Sequence, residues 1–149
     1  MPLSPIRRYL PHLLVGLSIS LIMVGAYVAV GFASSTPKVI WSSNPVTIKF
    51  TATTGSSSGS TTDFFKCAPP VTNVVLLTSV SSTKIKLTVA PTSQATCGPS
   101  YDGETLTAMC QTLTAAQCRG TYTGTVTVHR SSPYGNTIPP SLTVNIVVN

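Results

Sequence analysis

The chain has 149 residues, among them nine Lys/Arg, three Asp/Glu, two His and four Cys, with a formal net charge of +6 and only 8% charged residues. The basic residues are scattered, with no run and no interleaved aromatics, which argues against nucleic-acid binding. With so few acids, and with His12 and His129 far in sequence from any cysteine, neither a metal site nor a cofactor is expected, and Ser and Thr must cover the surface.

Arg7 and Arg8 precede an uncharged run, Leu13–Ala33, LLVGLSISLIMVGAYVAVGFA. As a helix rising about 1.5 Å per residue it spans roughly 30 Å, the thickness of a bilayer's hydrocarbon core. No Lys or Arg follows until Lys38, so the positive-inside bias puts residues 1–12 in the cytoplasm and the remainder outside. Tyr9 and Trp41 flank the run where amphipathic rings favour the interface. The competing reading is a cleaved signal peptide, with Gly31 and Ala33 as the small residues of a site before Ser34. Signal apolar regions usually run about 7–15 residues, so the length favours a retained anchor. The Arg pair is followed by Tyr-Leu-Pro and reads as ordinary positive flanking, not as a twin-arginine signal. Gly25, Ala29 and Ala33 recur every four residues, and Gly16 with Ser20 forms a second small pair. Such a face admits a second helix, although Gly and Ala are also common in any membrane span.

Residues 34–149 are enough for one extracytoplasmic domain, with seven basic residues against three acids, a net of +4. Cys67, Cys97, Cys110 and Cys118 all lie here, and an even count outside the cytoplasm reads as two disulfides. Of the three pairings, a local Cys110–Cys118 clasp and a longer Cys67–Cys97 staple are preferred. Zinc is the rival, but no C-x2-C pair occurs.

In chain order, Val39–Trp41 begins a first strand and Ser42–Pro45 a turn. Val46, Ile48, Phe50 and Ala52 alternate with Thr47, Lys49, Thr51 and Thr53, the period of a half-buried strand. Gly55–Ser60 reads as a flexible loop, and Phe64–Cys67 as an ordered stretch ending at Pro69-Pro70. Val71–Val80 is a continuous apolar run expected as a central strand, and Lys84–Val89 alternates with Ile85, Leu87 and Val89 inward. Ala90–Glu104 is expected as a long loop, and all three acids, Asp63, Asp102 and Glu104, are read as loop residues. Asp102-Gly-Glu104 has too few carboxylates for calcium and is placed at a helix N-terminus. Leu106, Met109, Cys110, Leu113 and Ala116 have helical spacing, which predicts a short helix over about 105–117. Gly120–Arg130 and Ser141–Val148 alternate cleanly across a ten-residue connection and are expected to pair antiparallel.

Gly120-x-Tyr122-x-Gly124-x-Val126-x-Val128, the Pro-bearing connection and Leu142-x-Val144-x-Ile146-x-Val148 resemble the last two strands of bacterial and archaeal immunoglobulin-like sandwich domains. That resemblance implies an all-β antiparallel sandwich behind the transmembrane or signal helix, with Tyr122 closing a corner by bonding nearby backbone. Trp41 is in the first strand, so the antibody Cys–Trp–Cys arrangement is absent. The overall plan is also similar to archaeal type IV pilins and archaellins, with an apolar helix ahead of a Thr/Ser-rich sandwich. Leu3-Ser4-Pro5-Ile6 is similar to a mature pilin start, while Arg7, Arg8 and Pro11 depart from a filament-core helix.

No nucleophile–base pair, carboxylate pair or metal cluster stands out, and His129 falls on a Thr-rich outer face, so an enzyme is not expected. The expected role is a membrane-anchored structural or interaction protein: a surface adhesin, or an accessory subunit of a membrane complex. Its partners would be membrane lipid and proteins met through the helix or a sandwich edge. The alternative is an assembling subunit of an extracellular filament.

Overall fold

Alternation of apolar residues with Ser and Thr produces strands along almost the whole domain, because side chains in extended backbone point to opposite faces in turn. The computed structural model describes residues 35–55, 57–111, 114–131 and 135–149. Leu13–Ala33, residues 1–12 and the small-residue face of Gly16, Ser20, Gly25, Ala29 and Ala33 lie outside the described residues. Among the described residues no helix is long and apolar enough to cross a membrane.

Among the described residues nine strands follow in order: β1 Lys38–Trp41, β2 Val46–Phe50, β3 Ser58–Ala68, β4 Val71–Val80, β5 Ile85–Ala90, β6 Ser93–Cys97, β7 Asp102–Cys110, β8 Gly120–Arg130 and β9 Thr137–Val148. One helical turn, α1 (Ala115–Cys118), lies between β7 and β8. The front sheet has the order β1-β3-β7-β5 and the back sheet the order β2-β9-β8-β4-β6. All neighbours pair antiparallel except β2 and β9, which run parallel with Val46 opposite Val144 and Phe50 opposite Val148. The inner faces form a single apolar core, the arrangement of a two-sheet β-sandwich.

Several expectations are met directly. Val46, Ile48 and Ala52 are buried, as are Ile85, Leu87 and Val89, and Leu142, Val144, Ile146 and Val148. β8 pairs antiparallel with β9, with Gly120 opposite Val148 and Val126 opposite Leu142.

The helix predicted over 105–117 is instead strand β7 followed by α1 alone. Glu104, Leu106, Ala108 and Cys110 are buried while Thr105 and Met109 are exposed, a period of two. The β-branched threonines favour extended backbone, and an inward acid disguised the period. The acids are therefore not in loops: Asp63 lies in β3, Asp102 and Glu104 in β7, and no helix N-terminus lies beside the last two. The loop expected at Gly55–Ser60 gives way to β3 from Ser58, and the loop over 90–104 contains β6, an edge strand with no apolar alternation. β9 begins at Thr137; its prolines precede Val144, where β2 first pairs, so their missing N–H groups leave that ladder intact. β4 is interior to its sheet but buried on one face only, leaving Leu77 50% exposed.

Two disulfides fasten the sandwich. Cys67 on β3 joins Cys97 on β6, bridging the sheets, and Cys110 at the end of β7 joins Cys118 on α1. This is the pairing that the spacing favours. Gly124 lets the sheets approach: a Cβ there would lie 2.6 Å from Leu87 Cδ2 and 3.1 Å from the Ser79 carbonyl oxygen. Gly124→Ala is therefore expected to lower stability by about 1–3 kcal/mol through overpacking. Urea unfolding checks this; an unchanged midpoint would show that Leu87 yields freely and that the approach is not tight.

Candidate functional site

Two of the three side-chain carboxyls in the whole chain face each other in the interior. Thr61-x-Asp63-x-Phe65-x-Cys67 on β3 and Glu104-x-Leu106-x-Ala108-x-Cys110 on β7 each turn an acid inward by strand parity. The register sets Asp63 directly opposite Glu104, a separation at which cross-strand side chains meet. Asp63 is 2% exposed and Glu104 1%.

The surroundings of the pair are set by a sheet switch. β1 pairs with β3 only over Lys38–Trp41, after which the chain leaves the front sheet and enters the back sheet as β2. The corner between them, Ser42–Pro45, is clamped from both sides. Trp41 packs on Phe65 with ring centroids 5.3 Å apart, and its Nε1–H donates to the Pro140 carbonyl of β9 at 2.8 Å. Asn44 donates through Nδ2 to the Ser141 carbonyl and accepts from the Thr143 N–H. Ser42 Oγ accepts from the Phe64 N–H and donates to Asp63 Oδ1 in a short hydrogen bond.

Among the described residues that hydroxyl is the whole side-chain hydrogen-bond supply of the two carboxyls. Asp63 Oδ2 and both Glu104 oxygens are buried without a partner, and neither carboxyl forms an ion pair. An enclosed carboxylate loses its hydration without recompense, so burial pushes the Glu104 carboxyl up to about 8, with the neighbouring Asp63 charge adding to the effect. Paired carboxyls can serve as general acid and base. Here both are sealed inside the sandwich, and the surface hollows along Thr78–Leu87 and around Arg130 and Asn136–Pro139 include neither. In this arrangement the chemistry open to them is retention of a proton.

The residues singled out from sequence lie elsewhere. Tyr122 Oη–H donates to the Cys118 carbonyl at 2.8 Å, tying β8 to the Cys110–Cys118 clasp. His129 is half-buried on β8, with Nε2 2.9 Å from Thr127 Oγ1 and Nδ1 3.3 Å from the Gly135 carbonyl oxygen. Among the described residues no three His, Cys, Asp or Glu side chains gather as a metal site. The acid pair was missed because the acids looked like loop residues; the inward parity shared with Phe65, Cys67 and Leu106 is the signal that reveals it.

Because Ser42 alone serves Asp63, Ser42→Ala is expected to cost about 1–3 kcal/mol, the range for a hydrogen bond to a charged or buried group. A denaturation midpoint equal to the parent's would show that this bond contributes nothing. Neither a protein-family model nor a curated protein matches this sequence.

Proposed function

We propose that the chain is a non-catalytic structural or interaction protein, held in the cell membrane by Leu13–Ala33 and displaying its sandwich outside the cytoplasm. The observation that carries this reading is the pair of disulfides fastening the domain that follows the apolar run. Disulfides of this kind persist in oxidising, extracytoplasmic surroundings. The sealed acids and the hydroxyl-rich strands support display and contact over turnover.

The finer fold reading is an immunoglobulin-like sandwich. It is supported by the Tyr122–Cys118 bond, which resembles the tyrosine corner, and by the sheet orders, which resemble A-B-E-D and G-F-C-C′. One departure is that β5 joins the front sheet before β6 joins the back one, the reverse of the usual D and C′ sequence.

A second reading, an assembling filament subunit, is favoured by one specific feature. Phe64, 45% exposed, lies on the outer face of the front sheet, and Leu77 on the outer face of the back sheet. Different apolar patches on opposite faces suit head-to-tail contact between copies.

The test is the intact mass of unreduced protein from its native cell fraction, followed by sedimentation after detergent. A full-length mass lacking four hydrogens, in small complexes, is expected. A mass beginning at Ser34 would overturn the anchor, and sedimenting fibres would favour the filament. Converting Cys67 and Cys97 to Ser should cost about 2–5 kcal/mol, and unchanged melting on reduction would remove the oxidising-compartment argument.

A further inference from the structure

We propose that Glu104, buried opposite Asp63, keeps its proton in the folded domain, and that this buried proton makes the sandwich an acid-favoured fold, loosened at the Ser42 corner as its surroundings become alkaline. A chain with three side-chain acids puts two of them opposite each other in its core. Two enclosed carboxylates on directly paired cross-strand positions disfavour each other's charge unless a cation or several donors stand by. One donor is present, Ser42 Oγ, and it serves Asp63. Glu104 has none. Glu104, with no donor beside it, is thus the member placed to hold a proton.

The surrounding charges do not change this. Asp102 lies two residues from Glu104 on the same side of β7, half-buried, and could only add negative charge. Lys38, Lys49, Lys66 and Lys86, on β1, β2, β3 and β5, alternate away from the core. On β8, Tyr122 bonds Cys118, His129 bonds Thr127, and Arg130 lines a hollow with Thr36 and Pro37. β4, β6 and β9 carry no charged side chain, and the cysteines are in disulfides. None of these groups forms an ion pair with either acid.

The sign follows from where the proton is released. Unfolded, Glu104 gives up its proton near 4.5; folded, it keeps it to about 8. Below the first value both states are protonated and the contribution to stability is complete. Between the two values the folded state holds a proton that the unfolded state has lost, so stability falls as pH rises. Above the second both are ionised and the slope ends. One proton's difference changes the unfolded-to-folded ratio up to about tenfold per pH unit within that window. The strain should appear first at Ser42, where β3 loses its β1 neighbour and the corner rests on a few side-chain bonds.

The full chain in neutral detergent tests this, with Trp41 as reporter: it is the chain's single tryptophan and packs beside Phe65. Its melting should be most resistant in acid, fall progressively from about pH 4.5 to about 8, and then level. Glu104→Gln, uncharged at every pH, should be flat over that window. Asp63→Asn, which offers Glu104 an amide donor and removes the facing charge, should end its decline at a lower pH. A flat wild-type profile, or a Glu104→Gln profile that keeps the parent's slope, would overturn the proposal. Should the variants not fold, infrared spectroscopy of the parent decides. The chain has only three side-chain carboxyls, so a protonated-carboxyl C=O band at about pH 6 that survives Asp102→Asn and vanishes on unfolding is expected. Absence of that band would overturn the proposal equally.

Discussion

The contact between the two sheets is what everything else rests on, because from β1 to β8 no two consecutive strands share a sheet. From β1 to β8 each step carries the chain from one sheet to the other, and only β8 and β9 are neighbours in both sequence and sheet. A strand can therefore gain its hydrogen-bonded partner only when the opposing layer is also in position. The core side chains, the Cys67–Cys97 bridge and the Trp41–Pro140 bond all act across that gap. Gly124 sets how narrow it can be.

Enclosing two acids in such a core runs against the hydrophobic term that drives the sheets together. A pair of well-packed apolar residues at Asp63 and Glu104 would stabilise the domain at least as well at neutral pH. What the acids supply is a dependence of stability on the surroundings, in a molecule whose remaining exterior has little to titrate. With these two inside, Asp102 is the one side-chain carboxyl left to balance the chain's basic residues. The hydroxyl-covered, weakly titrating surface and the buried proton both fit an acidic exterior better than an alkaline one.

Much of the fold was legible in the sequence, and the reason is periodicity. β2, β5, β8 and β9 each alternate apolar and polar residues in a register that sequence alone reveals, and β4 announces itself by length and composition. β7 was misread because Glu104 and Ala108 occupy inward positions that apolar bulk would have marked, leaving Leu106, Met109 and Cys110 to imitate a helix. β6 was invisible because an edge strand held by a disulfide and one neighbour needs no apolar pattern. The candidate site was hidden for a related reason. Asp63 and Glu104 are 41 positions apart, and only the β3–β7 register, a non-local pairing, brings them together.

The parallel pairing of β2 with β9 has a consequence for the order in which the domain is made. The second strand of the domain takes its one sheet neighbour from the ninth, with Phe50 accepting from the Asn149 N–H and Ala52 donating to the Asn149 carbonyl. During synthesis from the N-terminus, β2 has no sheet neighbour until β9 emerges. The back sheet is thus completed by the arrival of β9, and a nascent domain carries an unpaired, apolar-faced β2 until then.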